Sequence, residues 1–160
     1  MWGKKVKVWI SDSVLNSMID HADNAYPNEA GGALMGYWND KGTEVLVTQV
    51  VGPGPEAVHE RTSFVPDYSF QEREIERIYI ESGRTHTYLG DWHSHPNGPA
   101  SLSGTDTRTM RNIAEYAAAR ATSPVMILFS GSQGSWNRDA WQFRKRKLHK
   151  ANLEVYGGTP

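Results

Sequence analysis

Strand-like and helix-like hydrophobic patterns alternate along this chain with no linker, repeat or low-complexity stretch between them, which points to helices packed on a sheet. "KVKVWI" alternates like a half-buried strand. "SDSVLNSMIDHADNAYP" then starts on a Ser or Asp cap, spaces Val14, Leu15, Met18, Ile19 and Ala22 on one helical face, and stops at Pro27. "GGALMGYWNDKGTEVLVTQVVGPG" reads as a hairpin turning at Asn39 to Gly42. A short strand ends at Pro66, and Phe70, Ile75, Ile78 and Tyr79 mark a second helix closed by Gly83. "THTYLGDWHSHP" is a strand that Pro96 terminates. "SGTDTRTMRNIAEYAAARA" is an Ala-rich helix with Met110, Ile113, Ala114 and Ala117 on one face. "PVMILFSG" is a buried strand and "SWNRDAWQFRKRK" a last one. The expectation is a single α/β domain over residues 1–150, a mixed β-sheet flanked by helices, followed by a flexible tail at 151–160. "FRKRKLHK" reads as an edge strand protected by Lys and Arg.

A chain of 160 residues can bury a core without disulfides or metal holding the fold together. Its 17 Lys and Arg stand against 18 Asp and Glu, so no global field draws it to nucleic acid or to an anionic membrane. It has no cysteine, which excludes disulfides, thiol catalysis, iron–sulfur clusters and cysteine-ligated zinc. Any metal must be held by His, carboxylate and water. Neither a signal-peptide pattern nor a membrane-spanning run is present, and the expected location is the cytoplasm.

The chemistry-bearing stretch is "GDWHSHPNGPASLSGTDTRTM". His93 and His95 flank Ser94 at a strand end, so their side chains leave one face and can converge on one ion. Ser103 and Asp106 open the next helix, where an acid in the first turn projects toward the preceding strand end. Two imidazoles, a carboxylate and a water are the open set of a catalytic zinc. The same Ser103 to Asp106 spacing also fits a capping box, and a cap can coexist with a metal site because its second oxygen stays free.

"HSHPNGPASLSGTD" resembles the JAMM, or MPN-plus, signature: His-x-His-Pro, six residues, Ser, two residues, Asp. "EAGGALMG", from Glu29 to Gly36, is similar to that family's upstream Glu-x-x-Gly-x-Leu-x-Gly stretch and lies between the first helix and the next strand, where the family places it. The resemblance spans roughly residues 6 to 145 and implies a JAMM/MPN architecture, which is cytidine-deaminase-like. It implies that His93, His95 and Asp106 bind one catalytic Zn2+, which brings the pKa of water to about 7. It further implies that Glu29 is the general base and that Ser103 hydrogen-bonds the tetrahedral oxyanion. No covalent acyl-enzyme is expected, because the chain has no cysteine and no Gly-x-Ser-x-Gly elbow.

Members of this family mostly cleave the amide bond after the C-terminal glycine of ubiquitin or a ubiquitin-like protein. The chain lacks the Cys-containing insertion of the larger eukaryotic deubiquitinases, which disfavours lysine-63-linked chains and favours a compact bacterial type. The implied partners are a ubiquitin-like modifier or its conjugates, with E1-like and E2-like operon neighbours, including in antiphage systems. An extended substrate tail is expected to add alongside an exposed strand, with "GPGPEAVHERTSF" a candidate flank of the cleft. The alternatives are a catalytically silent MPN-type scaffold, or a metal hydrolase acting on a small amide. His21, His59, His86 and His149 read as ordinary polar residues.

Overall fold

A computed structural model describes residues 3–157. Strand β1 (Lys7–Ser11) leads into helix α1 (Asp12–Ala25), which Ser11 caps by accepting the Val14 N–H. Strands β2 (Gly31–Trp38) and β3 (Glu44–Val51) form the expected hairpin. A small hairpin, β4 (Val58–His59) and β5 (Phe64–Val65), then precedes helix α2 (Tyr68–Glu81). Strand β6 (Thr87–Pro96), helix α3 (Gly104–Glu115), and strands β7 (Val125–Ser132), β8 (Ser135–Arg144) and β9 (Lys147–Tyr156) complete the chain.

Seven strands close in the order β1-β3-β2-β6-β7-β8-β9, with β9 returning to pair parallel with β1. The sheet is mixed: β1 also runs parallel to β3, and β6 to β7, while the other neighbours are antiparallel. On one face, Leu15 and Met18 of α1 pack among Val8, Ile10, Leu34, Trp92, Ile127 and Phe129. The other face of β2 and β6 carries α2, where Ile78 meets Ala33, Met35 and Val51. Met110 of α3 sits on Met126 and Phe143. Because alternate residues of a strand face opposite sides, β6 sends Trp92 and Ser94 into the α1 core and His93 and His95 toward the groove between α2 and α3.

Three expectations change. The tail expected to be loose from residue 151 is strand through Tyr156, paired with β1; residues 158–160 lie outside the described residues. "FRKRKLHK" is a hairpin between β8 and β9, turning at Lys145 and Arg146, both with positive φ, and not an edge, because the closed sheet leaves none there. The third helix stops at Glu115; Ala117 belongs to a following 3-10 turn. Among the described residues no helix is long and apolar enough to cross a membrane.

Candidate metal and hydrolytic centre

Glu29 stands just ahead of β2, and the sheet puts it beside the histidines. Gly31 pairs with His93 across the β2–β6 ladder. One residue earlier, the Ala30 N–H donates to Ser94 Oγ at 2.8 Å, and the Ser94 N–H donates to the Ala30 carbonyl at 2.9 Å. The residue between the two histidines therefore secures the segment that carries Glu29. Two glycines of "EAGGALMG" are required by close approach: a Cβ at Gly32 would meet the Val51 carbonyl oxygen at 1.9 Å, and one at Gly36 the Leu46 carbonyl oxygen at 1.9 Å.

Asp106 arrives from the first turn of α3, where the capping box is complete. Its N–H donates to Ser103 Oγ at 3.1 Å, and the Ser103 N–H returns a bond to Asp106 Oδ2 at 2.9 Å. The Asp106 carboxylate, 5% exposed, then reaches both rings, with Oδ1 3.4 Å from His93 Nε2 and Oδ2 3.1 Å from His95 Nε2. Glu29 Oε2 lies 3.5 Å from His93 Nε2. All five residues singled out in the sequence thus line one open groove of about 1790 Å³, whose walls also include Ile75, Tyr79, Ile113 and Tyr116.

The electrostatics suit a cation. Burial pushes the Glu29 carboxyl up to about 7, partly offset by His95 and reinforced by Asp106. Burial also lowers His93 to about 4, against the pull of Asp106, so its ring is neutral at physiological pH. For His95 burial again opposes charge, but the Asp106 hydrogen bond, the Pro99 carbonyl and the nearby carboxylates outweigh it and raise its pKa. Burial alone would raise Asp106, yet bonds from His95 and Ser103 and the His93 ring hold it well below the usual carboxylate range.

His95 Nδ1 faces the Pro99 carbonyl at 3.2 Å and must donate to it. That bond leaves Nε2 as the ring atom that turns to Asp106, and a metal displacing the Nε2 proton would find the lone pair already aimed. Glu29, His93 and His95 also each offer one ligand atom within 4.8 Å of the others. Glu29 thus completes a compact set with the two imidazoles, and Asp106 stands against the same two rings through its two different oxygens; two nitrogens with one carboxylate oxygen fit zinc.

Ser94, Pro99 and His59 were not legible as site residues. Ser94 is fully buried and could have been read from strand alternation, which turns it away from the histidine face. Pro99 acts through its main-chain carbonyl, and His59, read as an ordinary polar residue, through the main chain of Glu29. Within the candidate flank, Val58–His59 and Phe64 belong to the strand pair β4–β5, and the turn residues Arg61 and Thr62 between them line the groove.

Comparison with known proteins agrees with this geometry. The family model for prokaryotic homologs of the JAB domain matches residues 11–144. The chain is 41% identical over 155 residues to the probable metalloprotease y4qB of Sinorhizobium fredii, covering 95% of this chain and 94% of that protein. It is 28% identical over 140 residues to the CD-NTase/cGAS isopeptidase of Enterobacter hormaechei, covering 86% and 76%. Protein DSY2949 from Desulfitobacterium hafniense shares the fold, with a TM-score of 0.71 at 21% identity over 94% of each chain. With the family model covering the whole groove and its five convergent side chains, the chain belongs to the prokaryotic branch of the JAB-domain metalloproteases.

Proposed function

We propose that the protein is a zinc-dependent isopeptidase or peptidase that hydrolyses the amide bond after the C-terminal glycine of a ubiquitin-like protein, acting in the cytoplasm of a bacterium. The observation that carries this reading is the convergence of Glu29, His93, His95 and Asp106 in an open groove. The name of the Enterobacter relative, a CD-NTase/cGAS isopeptidase, supports an isopeptide as the bond cut. A ubiquitin-like modifier with E1-like and E2-like enzymes as partners, in an antiphage pathway, belongs to the same proposal.

In this reading His93, His95 and Asp106 hold the metal. When bound, zinc polarises the scissile carbonyl and lets water ionise at neutral pH. Glu29 takes the proton of the attacking water and passes it to the leaving amine, and its burial suits it to carry that proton between the two steps. Ser103 Oγ accepts the Asp106 N–H, so its own proton is free to be donated to the tetrahedral oxyanion. Pro99, by holding His95 Nδ1, fixes the ring that faces the metal.

The test is cleavage by the purified, zinc-loaded protein of tagged fusions of every ubiquitin-like protein encoded beside its gene. Release of the tag after the modifier's terminal glycine, abolished by chelator and restored by zinc, is the expected result. A protein that leaves all of them uncut contradicts the proposal.

A further inference from the structure

The peptide that carries Glu29 lies between helix α1 and strand β2 and is gripped from two sides. The barrel holds Ala30 through Ser94. The β4–β5 hairpin holds Glu29 itself: its N–H donates to the Glu60 carbonyl at 2.8 Å, and its carbonyl accepts from His59 Nδ1 at 2.7 Å. A carbonyl cannot donate, so His59 Nδ1 carries the proton.

We propose that His59 is a positioning residue for Glu29, its Nδ1–H fixing the peptide from which the carboxylate is aimed and tying the β4–β5 hairpin to the base. This rests on the assignment of Glu29 as general base made above.

The hairpin has little else to hold it. Among the described residues β4 and β5 pair only with each other, through Val58 with Val65 and His59 with Phe64, and both valines are exposed. A two-stranded hairpin is marginal in water by itself. Within it the His59 ring packs against Phe64, with centroids 5.2 Å apart, and Phe64 seats the hairpin over Gly31, where a Cβ would meet Phe64 Cε1 at 2.8 Å. Gly31 in turn is the ladder partner of His93. A shift of the hairpin is thus felt at Glu29, and misplacing a catalytic group by about 1 Å costs on the order of 100-fold in rate.

Two substitutions separate the donor from the ring. His59→Asn keeps a donor, since Asn Nδ2 lies as many bonds from Cα as His Nδ1, but gives up the stack. His59→Phe keeps a ring against Phe64 and has no donor. On a cleavable modifier fusion, the zinc-loaded Phe variant is expected to lose about 10- to 100-fold in kcat with little change in KM, while the Asn variant stays within about threefold of wild type. Amide exchange at Glu29 and Ala30, measured by NMR, is expected to quicken about tenfold or more in the Phe variant only, with zinc content unchanged in both. The opposite order, equal losses, or no loss in either variant overturns the proposal. If the wild-type protein cuts no fusion, the isopeptidase reading fails, whereas the exchange measurement still decides whether His59 anchors Glu29.

Discussion

Replacing Glu29 with Gln should make the metal-free protein more stable while removing its activity, an opposition expected of a group retained for chemistry. Burial raises the Glu29 pKa from 4.5 to about 7. Between those values the folded state binds more protons than the unfolded state, so the stability Glu29 contributes is present below about pH 4.5 and is lost as pH rises through about 7. At about 1.4 kcal/mol per tenfold change in proton affinity, the full loss is about 3 kcal/mol. The groove admits solvent to one side of the carboxylate, and screening reduces this to about 1–2 kcal/mol. Glutamine fills the same volume and does not ionise. Metal-free Glu29→Gln and wild-type protein should therefore melt close together near pH 4, and the variant should melt about 3–6 °C higher at pH 8. Loaded with zinc, the variant should turn over about 100- to 10,000-fold more slowly, which is about 3–5 kcal/mol of barrier. Thermal melts at the two pH values and a fusion-cleavage assay check both halves. A variant that is less stable at pH 8, or a difference independent of pH, contradicts the reading of Glu29 as a buried acid whose charge its neighbours offset only in part.

Ser103→Gly separates capping from catalysis, because glycine at an N-cap costs only a few tenths of a kcal/mol while the hydroxyl is gone. Stability in urea should scarcely change and turnover should fall about 100-fold; unchanged turnover would leave Ser103 as a cap alone. Gly32→Ala drives a Cβ into the Val51 carbonyl and should cost about 3 kcal/mol, against about 1 kcal/mol for Gly42→Ala, whose φ of +67° is strained for alanine but whose surroundings are open. Equal costs in denaturant titrations would contradict the packing argument. Metal affinity should rise with pH, because the His95 pKa is raised and its Nε2 proton must leave before metal binds. Competition with a chelating dye should show binding weakened by up to about tenfold per pH unit below neutrality, and a flat profile would exclude His95 as a ligand.

The parts of the site legible in the sequence are those joined by short chain segments. His93 and His95 share a strand face, and Ser103 and Asp106 share a helical turn, so spacing alone brings each pair together. Glu29 was reachable only through the resemblance of "EAGGALMG", since the ladder that sets it beside His93 joins residues more than sixty positions apart. His59 offered no signal because its bond is to a main-chain carbonyl, which leaves no mark on residue type. Strand β9 was missed from residue 151 onward for a different reason. Its apolar residues alternate with polar ones that read as tail; the buried Ala151 pairs with Ala140 of β8, and from Asn152 to Tyr156 the partner is β1, which lies at the far end of the chain.

The two carboxylates divide the labour in the proposed reaction, Asp106 holding the metal and Glu29 moving the proton, although both lie within reach of the histidines. Zinc content after dialysis, measured for wild type, Glu29→Gln, His93→Ala and Asp106→Ala, tests this division most directly. One zinc per chain is expected in wild type and Glu29→Gln, and its loss in the other two. Zinc lost from Glu29→Gln and kept by Asp106→Ala would contradict it and make Glu29 the third ligand.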